Sequence, residues 1–166
     1  CQGLCVAIES AVQRVIDKVV KKRLDLKRVI DLMEYCHDVD LRLHAFYVIG
    51  LPGEKKDDIM QTLTYALNGY KKFNVLPNVN LAKALPGTEL YENVVTNQLY
   101  RDKLEFKPNE ITTEDFDTKW IAEQYAWFRK ELYKIRIMKS LKSPKVLINS
   151  IKIAINKIKE KILHFK

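Results

Sequence analysis

The sequence predicts an α/β chain with a parallel sheet, followed by a helical C-terminal tail. Three observations predict it. Three short apolar runs, at 4–8, 41–49 and 75–84, alternate with segments whose apolar residues fall at helical spacing. Each run ends in a break rich in polar, Gly or Pro residues. Strands that alternate with helices in this way are joined by crossovers and lie parallel.

Leu4 to Ile8, beside Gly3, reads as a buried strand. Glu9 and Ser10 then open a helical segment with Val12, Val15, Ile16, Val19 and Val20 at helical spacing. Asp25 is placed to cap a second helix whose buried face would be Leu26, Val29, Ile30, Met33 and Cys36. The second strand, Leu41 to Ile49, ends in five successive apolar residues, which predicts cover on both faces. Gly50-Leu51-Pro52-Gly53 breaks it. A helix from near Asp57 follows, carrying Ile59, Met60, Leu63, Ala66, Leu67 and Tyr70. The third strand, Val75 to Ala84, ends at Pro86-Gly87-Thr88, and a helix over 89–98 succeeds it.

Three strands make an open sheet with two raw edges. The chain also starts directly at a strand. Both features predict that the N-terminal part of a larger fold lies elsewhere, in a longer product or a separate chain. Residues 101–118 are polar and irregular and read as a linker. A long helix over 116–139 follows, with Trp120, Tyr125, Trp127, Phe128, Leu132 and Tyr133. Ser143-Pro144 opens another, with an apolar face of Leu147, Ile151, Ala154, Ile155, Ile158 and Ile162 and a lysine-rich opposite side. The predicted organisation is thus 1–100, 101–118 and 119–166.

Charge is divided unevenly. The 166 residues carry a net charge of +8. Residues 119–166 hold thirteen Lys/Arg against three Asp/Glu, and the preceding residues hold sixteen against eighteen. A near-neutral body therefore carries a basic tail, which speaks to partners rather than to fold. The last helix would pack its apolar face on the body or lie on an anionic membrane surface. For nucleic acid there is charge but no recognised binding module. No apolar run approaches the roughly 20 residues of a membrane span. The N-terminal residues lack the pattern of a secretory signal. Three cysteines are not a disulfide framework. These features predict a cytoplasmic protein, with a peripheral membrane role open to the tail.

Candidate chemistry is sparse. Cys1 and Cys5 have the spacing of part of a metal site, but a third cysteine three residues on would fall at Ile8. Small buried thiols are the simpler reading for Cys1, Cys5 and Cys36, and no metal ligands are assigned. His37, His44 and His164 show no ligand spacing. His44 lies on a strand and would pack, or point into a barrel. Gly50-Leu51-Pro52-Gly53-Glu54 sits where α/β folds place ligand loops. Its glycines would let backbone approach a ligand, or would serve only a tight turn. It is not a phosphate-binding P-loop, for it lacks Gly-Lys-Ser/Thr. Glu9-Ser10 could bind a ligand amine or hydroxyl, or cap the next helix. Three such breaks at three consecutive strand ends would converge on one rim.

Taken in order, the three breaks resemble the second half of the radical S-adenosylmethionine (SAM) enzyme core, in the branch often found with a cobalamin-binding domain. The matching residues are Ile8-Glu9-Ser10 with Lys21, then Phe46 followed by Gly50-Leu51-Pro52-Gly53-Glu54, and then Pro86-Gly87-Thr88-Glu89-Leu90-Tyr91. Thr113 to Phe116 and the helix after them resemble that branch too. The resemblance covers roughly residues 3–100. It implies a partial (β/α) barrel with parallel strands, here the last three of six, followed by the helical tail.

It also implies SAM bound across the strand tops, next to a [4Fe-4S] cluster that cleaves it reductively. Cobalamin would be a further cofactor in this branch. Carried over residue by residue, Glu9 and Ser10 would touch the polar groups of SAM and Lys21 its carboxylate. Gly50, Leu51, Pro52 and Gly53 would face the adenine side, and Pro86 and Gly87 would complete the rim. No catalytic residue is implied. The substrate would be a small or lipid-like molecule. The chain departs from the pattern at three places. The Cys-x3-Cys-x2-Cys that holds the cluster has no counterpart, Ala11-Val12 replace the Gly-Ser common after Glu-Ser, and Ala84 stands at a usual proline. The expectation is therefore a fragment that holds no cofactor tightly alone and performs little catalysis. The rival expectation is a non-catalytic α/β binding module that kept the scaffold.

Overall fold

The computed structural model describes residues 2–142, apart from 102, 106 and 109. Expectations for Cys1, for the helix opening at Ser143-Pro144 and for His164 lie outside the described residues. The chain divides into two compact units, Cys1–Phe128 and Arg129–Lys166.

The first unit is built on three parallel strands: β1 (Gly3–Glu9), β2 (Arg42–Ile49) and β3 (Leu76–Leu81), in spatial order 1-2-3. Between β1 and β2 run a short helical turn, α1 (Gln13–Val15), a π-helical segment Ile16–Val20, and α2 (Leu26–Asp38). The helix α3 (Lys56–Phe73) joins β2 to β3, and α4 (Glu89–Thr96) follows β3. A 25-residue helix, α5 (Thr118–Lys142), crosses from the first unit into the second. The chain is thus α/β with a parallel sheet and a helical continuation, as the alternation predicts.

Local chemistry explains the boundaries. Asp25 caps α2, its Oδ1 accepting the Lys27 amide at 2.9 Å. Thr88 caps α4, its hydroxyl accepting the Tyr91 amide at 3.2 Å. At the far end of α3, Asn74 takes a left-handed φ of 59° and closes the helix.

One face of the sheet is covered along the length of β2. Leu43, Ala45, Tyr47 and Ile49 alternate along β2 and are buried, together with Val79 of β3. Against them pack α2 through Val29 and Met33, and α3 through Ile59, Leu63 and Ala66. The expectation that β2 is covered on both faces is corrected over most of the strand: Arg42 and Phe46 are exposed and His44 is half-buried. Helices α2 and α3 lie on the covered side; on the other, Arg42, His44 and Phe46 are the open positions, while Val48 at the strand's end packs against the cluster around Val94 of α4.

The expectation that β1 is buried is corrected too. Only Ile8 is fully enclosed, and Leu4 and Cys5 are exposed. The cause is positional, for β1 is an edge strand with one neighbour. Cys5 is therefore not a buried thiol, whereas Cys36 is. On α2, Val29, Met33 and Cys36 face inward, but Ile30 is exposed.

A second apolar cluster lies past the ends of β2 and β3. Ala82, Ala84, Val94 and Ile111 form it, with Val48, Leu51 and Leu90 packed alongside. Ile111 and Phe116, from the irregular stretch 101–118, are both buried. No helix among the described residues is long and apolar enough to cross a membrane.

Candidate functional site: a cavity where three strand ends meet

The C-terminal end of β1 is irregular. Its register with β2 slips between Ala7 and Glu9, and Glu9 takes a left-handed φ of 71°. Such a conformation costs a non-glycine residue roughly 1–3 kcal/mol and clusters at functional sites. Ser10 follows, fully buried. Its hydroxyl lies 3.1 Å from the Thr62 hydroxyl and accepts the Val12 amide at 3.2 Å. Thr62 also accepts the Ala11 amide at 3.1 Å. This network pins the turn after β1 to α3.

The π-helical segment then widens the chain, and Lys21 ends it at a left-handed φ of 58°. Lys21 and Lys22 consequently reach in different directions. The Lys22 ammonium sits 3.5 Å from Glu9 Oε1 and also donates to the Ala7 carbonyl. The Lys21 ammonium pairs with Glu89 of α4.

The loop after β2 is organised by Glu54. Its Oε2 accepts the amides of Gly50 at 2.7 Å and Leu51 at 2.8 Å. The side chain is fully buried, and Oε1 has no hydrogen-bond partner among the described residues. Burial pushes its pKa up to about 7, against the pull of the two amides. Gly50 and Gly53 both have left-handed φ. A Cβ on Gly53 would sit 3.2 Å from Val19 Cγ2, so glycine lets the loop close on the π-helical segment.

These elements enclose a cavity of about 290 Å³ lined by Glu9, Val19, Val20, Val48, Leu51, Pro52, Glu89, Leu90 and Asn93. It is lined by the end of β1, the end of β2 with its loop, and the first turns of α4, the helix that follows β3. Six of its residues are apolar and three are polar, two of those being carboxylates. The arrangement suits a ligand with an apolar or planar body that presents hydroxyl or ammonium donors to the rim. A larger groove of about 910 Å³, lined by Gln13, Asp17 and residues 23–28, lies away from the loops after β2 and β3. We place the site at the smaller cavity because the end of β1, the loop after β2 and the start of α4 meet there.

Of the residues singled out in the sequence, Glu9, Leu51 and Pro52 line the cavity together. Lys21 reaches a lining residue, Glu89. Gly50 and Gly53 shape the loop without lining it. Ser10 turns to Thr62, and Pro86 and Gly87 are exposed on the approach to α4. Sequence reasoning missed Val19 and Val20, which resemble core residues at helical spacing. It missed Lys22, whose role depends on the π turn, and Asn93. Glu89 and Leu90 were signalled, since they directly follow Pro86-Gly87-Thr88. Glu54 was signalled by closing the Gly-Leu-Pro-Gly run.

No family model matches the chain. A 66-residue alignment, covering 36% of this chain, is 36% identical to cytidylyl-2-hydroxyethylphosphonate methyltransferase of Streptomyces wedmorensis. The chain spans 12% of that enzyme's length.

Proposed function

We propose that residues 3–100 form part of the core of a radical SAM enzyme, and that the rim cavity is one wall of its SAM pocket. The observation that carries this reading is the meeting of three ordered strand-end motifs at a single cavity. Similarity to a methyltransferase supports it, since S-adenosylmethionine is a common biological methyl donor.

The residues present suit such a ligand. Glu9 would accept hydrogen bonds from its ammonium or ribose hydroxyls, and Lys22 holds the Glu9 carboxylate in place. Leu51, Pro52 and Leu90 would flank the adenine. Lys21 would meet the ligand carboxylate after parting from Glu89. Ser10 is a positioning residue that fixes the turn carrying Glu9. The residues do not suit an iron–sulfur cluster: no three His, Cys, Asp or Glu gather among the described residues. Cluster ligands and the remaining strands would come from another segment or chain, and β1, an edge strand of the described sheet, is where further strands would add.

Equilibrium dialysis with labelled SAM tests the reading. One wall of a pocket should bind weakly, on the order of millimolar, and Glu9→Gln should weaken binding about tenfold, as loss of a charge-assisted hydrogen bond does. Affinity unmoved by Glu9→Gln would refute the assignment.

A further inference from the structure

The C-terminal half of α5 carries an apolar stripe that faces solvent. Tyr133, Ile137 and Leu141 follow at intervals of four, so they share one helix face, with Met138 beside them. Their exposures are 65%, 42%, 61% and 51%. Single exposed apolar residues are ordinary, but four within nine positions form a contiguous patch. The helix already has another side, where Leu132 is buried and Ile135 half-buried.

Charge surrounds the stripe. Residues 129–142 include Arg129, Lys130, Lys134, Arg136, Lys139 and Lys142 against one acid, Glu131, which pairs with Lys134 at 2.6 Å. Fourteen helical residues extend about 21 Å. An apolar stripe embedded among lysines and arginines is complementary to a surface with an anionic plane above a hydrocarbon layer.

We propose that this face of α5 docks on an anionic lipid bilayer, with Tyr133, Ile137 and Leu141 in the headgroup–acyl boundary and Lys130 and Lys134 at the lipid charges. The proposal is independent of the SAM reading.

The full chain is co-sedimented with vesicles of phosphatidylcholine alone, or with about 30% phosphatidylserine, at about 0.1 M salt. Binding to the anionic vesicles should be at least about tenfold stronger. Ile137→Gln with Leu141→Gln keeps every charge and should lower it about fivefold or more, at an unchanged thermal midpoint. Lys130→Gln with Lys134→Gln, at surface positions, should lower it as well. Equal binding to both vesicle types would overturn the proposal. So would a glutamine pair that leaves vesicle binding unchanged. If that pair instead lowers the thermal midpoint, the stripe is covered by the chain's own residues. Tighter binding of a uridine oligonucleotide than of anionic vesicles, insensitive to the glutamine pair, would make the face a polyanion site and likewise overturn the proposal.

Discussion

Glu54 accepts the Gly50 amide at 2.7 Å from a fully buried position, so a carboxylate forms the internal anchor of the loop that walls the rim cavity. Without it, the Gly50 and Leu51 amides would have to find other acceptors in a place with little water. The loop's shape therefore depends on a group that titrates near neutrality.

This gives a pH dependence with a definite sign. The folded-state pKa of Glu54 is about 7, against an ordinary value of 4.5. Below 4.5 both folded and unfolded chains hold the proton. Between 4.5 and about 7 the folded chain keeps it and the unfolded chain does not, so stability falls as pH rises through that window. The loss reaches up to about 3 kcal/mol. Urea midpoints measured from pH 5 to pH 8 should show the decline, and Glu54→Gln should abolish most of it. An undiminished slope in the variant would assign the titration to other groups.

The glycines of the rim are predicted to differ in their tolerance of a methyl group. At Gly50 a Cβ would lie 2.6 Å from Ile121 Cδ1, and φ is 88°. Gly50→Ala should cost about 2–4 kcal/mol, of which left-handed strain is about 1. Ile121→Val removes the clashing atom, so the double variant should be more stable than additivity predicts. At Gly87 nothing lies near the added atom, and only the strain of about 1 kcal/mol should remain. Thermal or urea midpoints of wild type, the three single variants and the double variant decide this.

Ser10 is predicted to be a stability residue. Ser10→Ala takes the acceptor from the Val12 amide and one of three partners from the Thr62 hydroxyl, which keeps the Ala11 amide and the Asp58 carbonyl. It should cost about 1–3 kcal/mol, and less than additively with Thr62→Val. SAM affinity, corrected for the folded fraction, should stay near wild type. A tenfold loss of affinity at full folding would put the Ser10 hydroxyl in contact with the ligand.

The sequence carries much of this architecture for a physical reason: strand ends in α/β folds need turn chemistry, and Gly50, Gly53, Gly87 and Thr88 supply it in order. Glu9 could be placed at the rim because it follows Ile8 directly. The direction of Ser10 could not be read, since its partner Thr62 lies 52 residues away. Val19 and Val20 have core spacing and line the cavity because a π turn rotates them, which no periodicity reveals. The exposure of β1 was equally hidden: an apolar run does not tell whether a second neighbour covers it.

The Lys21–Glu89 pair separates stability from binding. Both side chains are largely exposed, at 60% and 78%, so breaking the pair should change stability by under about 0.5 kcal/mol. Lys21→Ala should nonetheless weaken SAM binding about threefold to tenfold, and Glu89→Gln, which frees the ammonium, should strengthen it. Opposite signs in dialysis would contradict the role given to Lys21.

Mapping amide shifts of the labelled chain during titration with SAM shows whether the ends of β1 and β2 and the start of α4 form one wall of a SAM pocket. Shifts should concentrate at Glu9, Val19, Val20, Val48, Leu51, Glu89, Leu90 and Asn93, and weaken in Glu9→Gln. Shifts centred on the groove of residues 23–28, or none at saturating ligand, would contradict it.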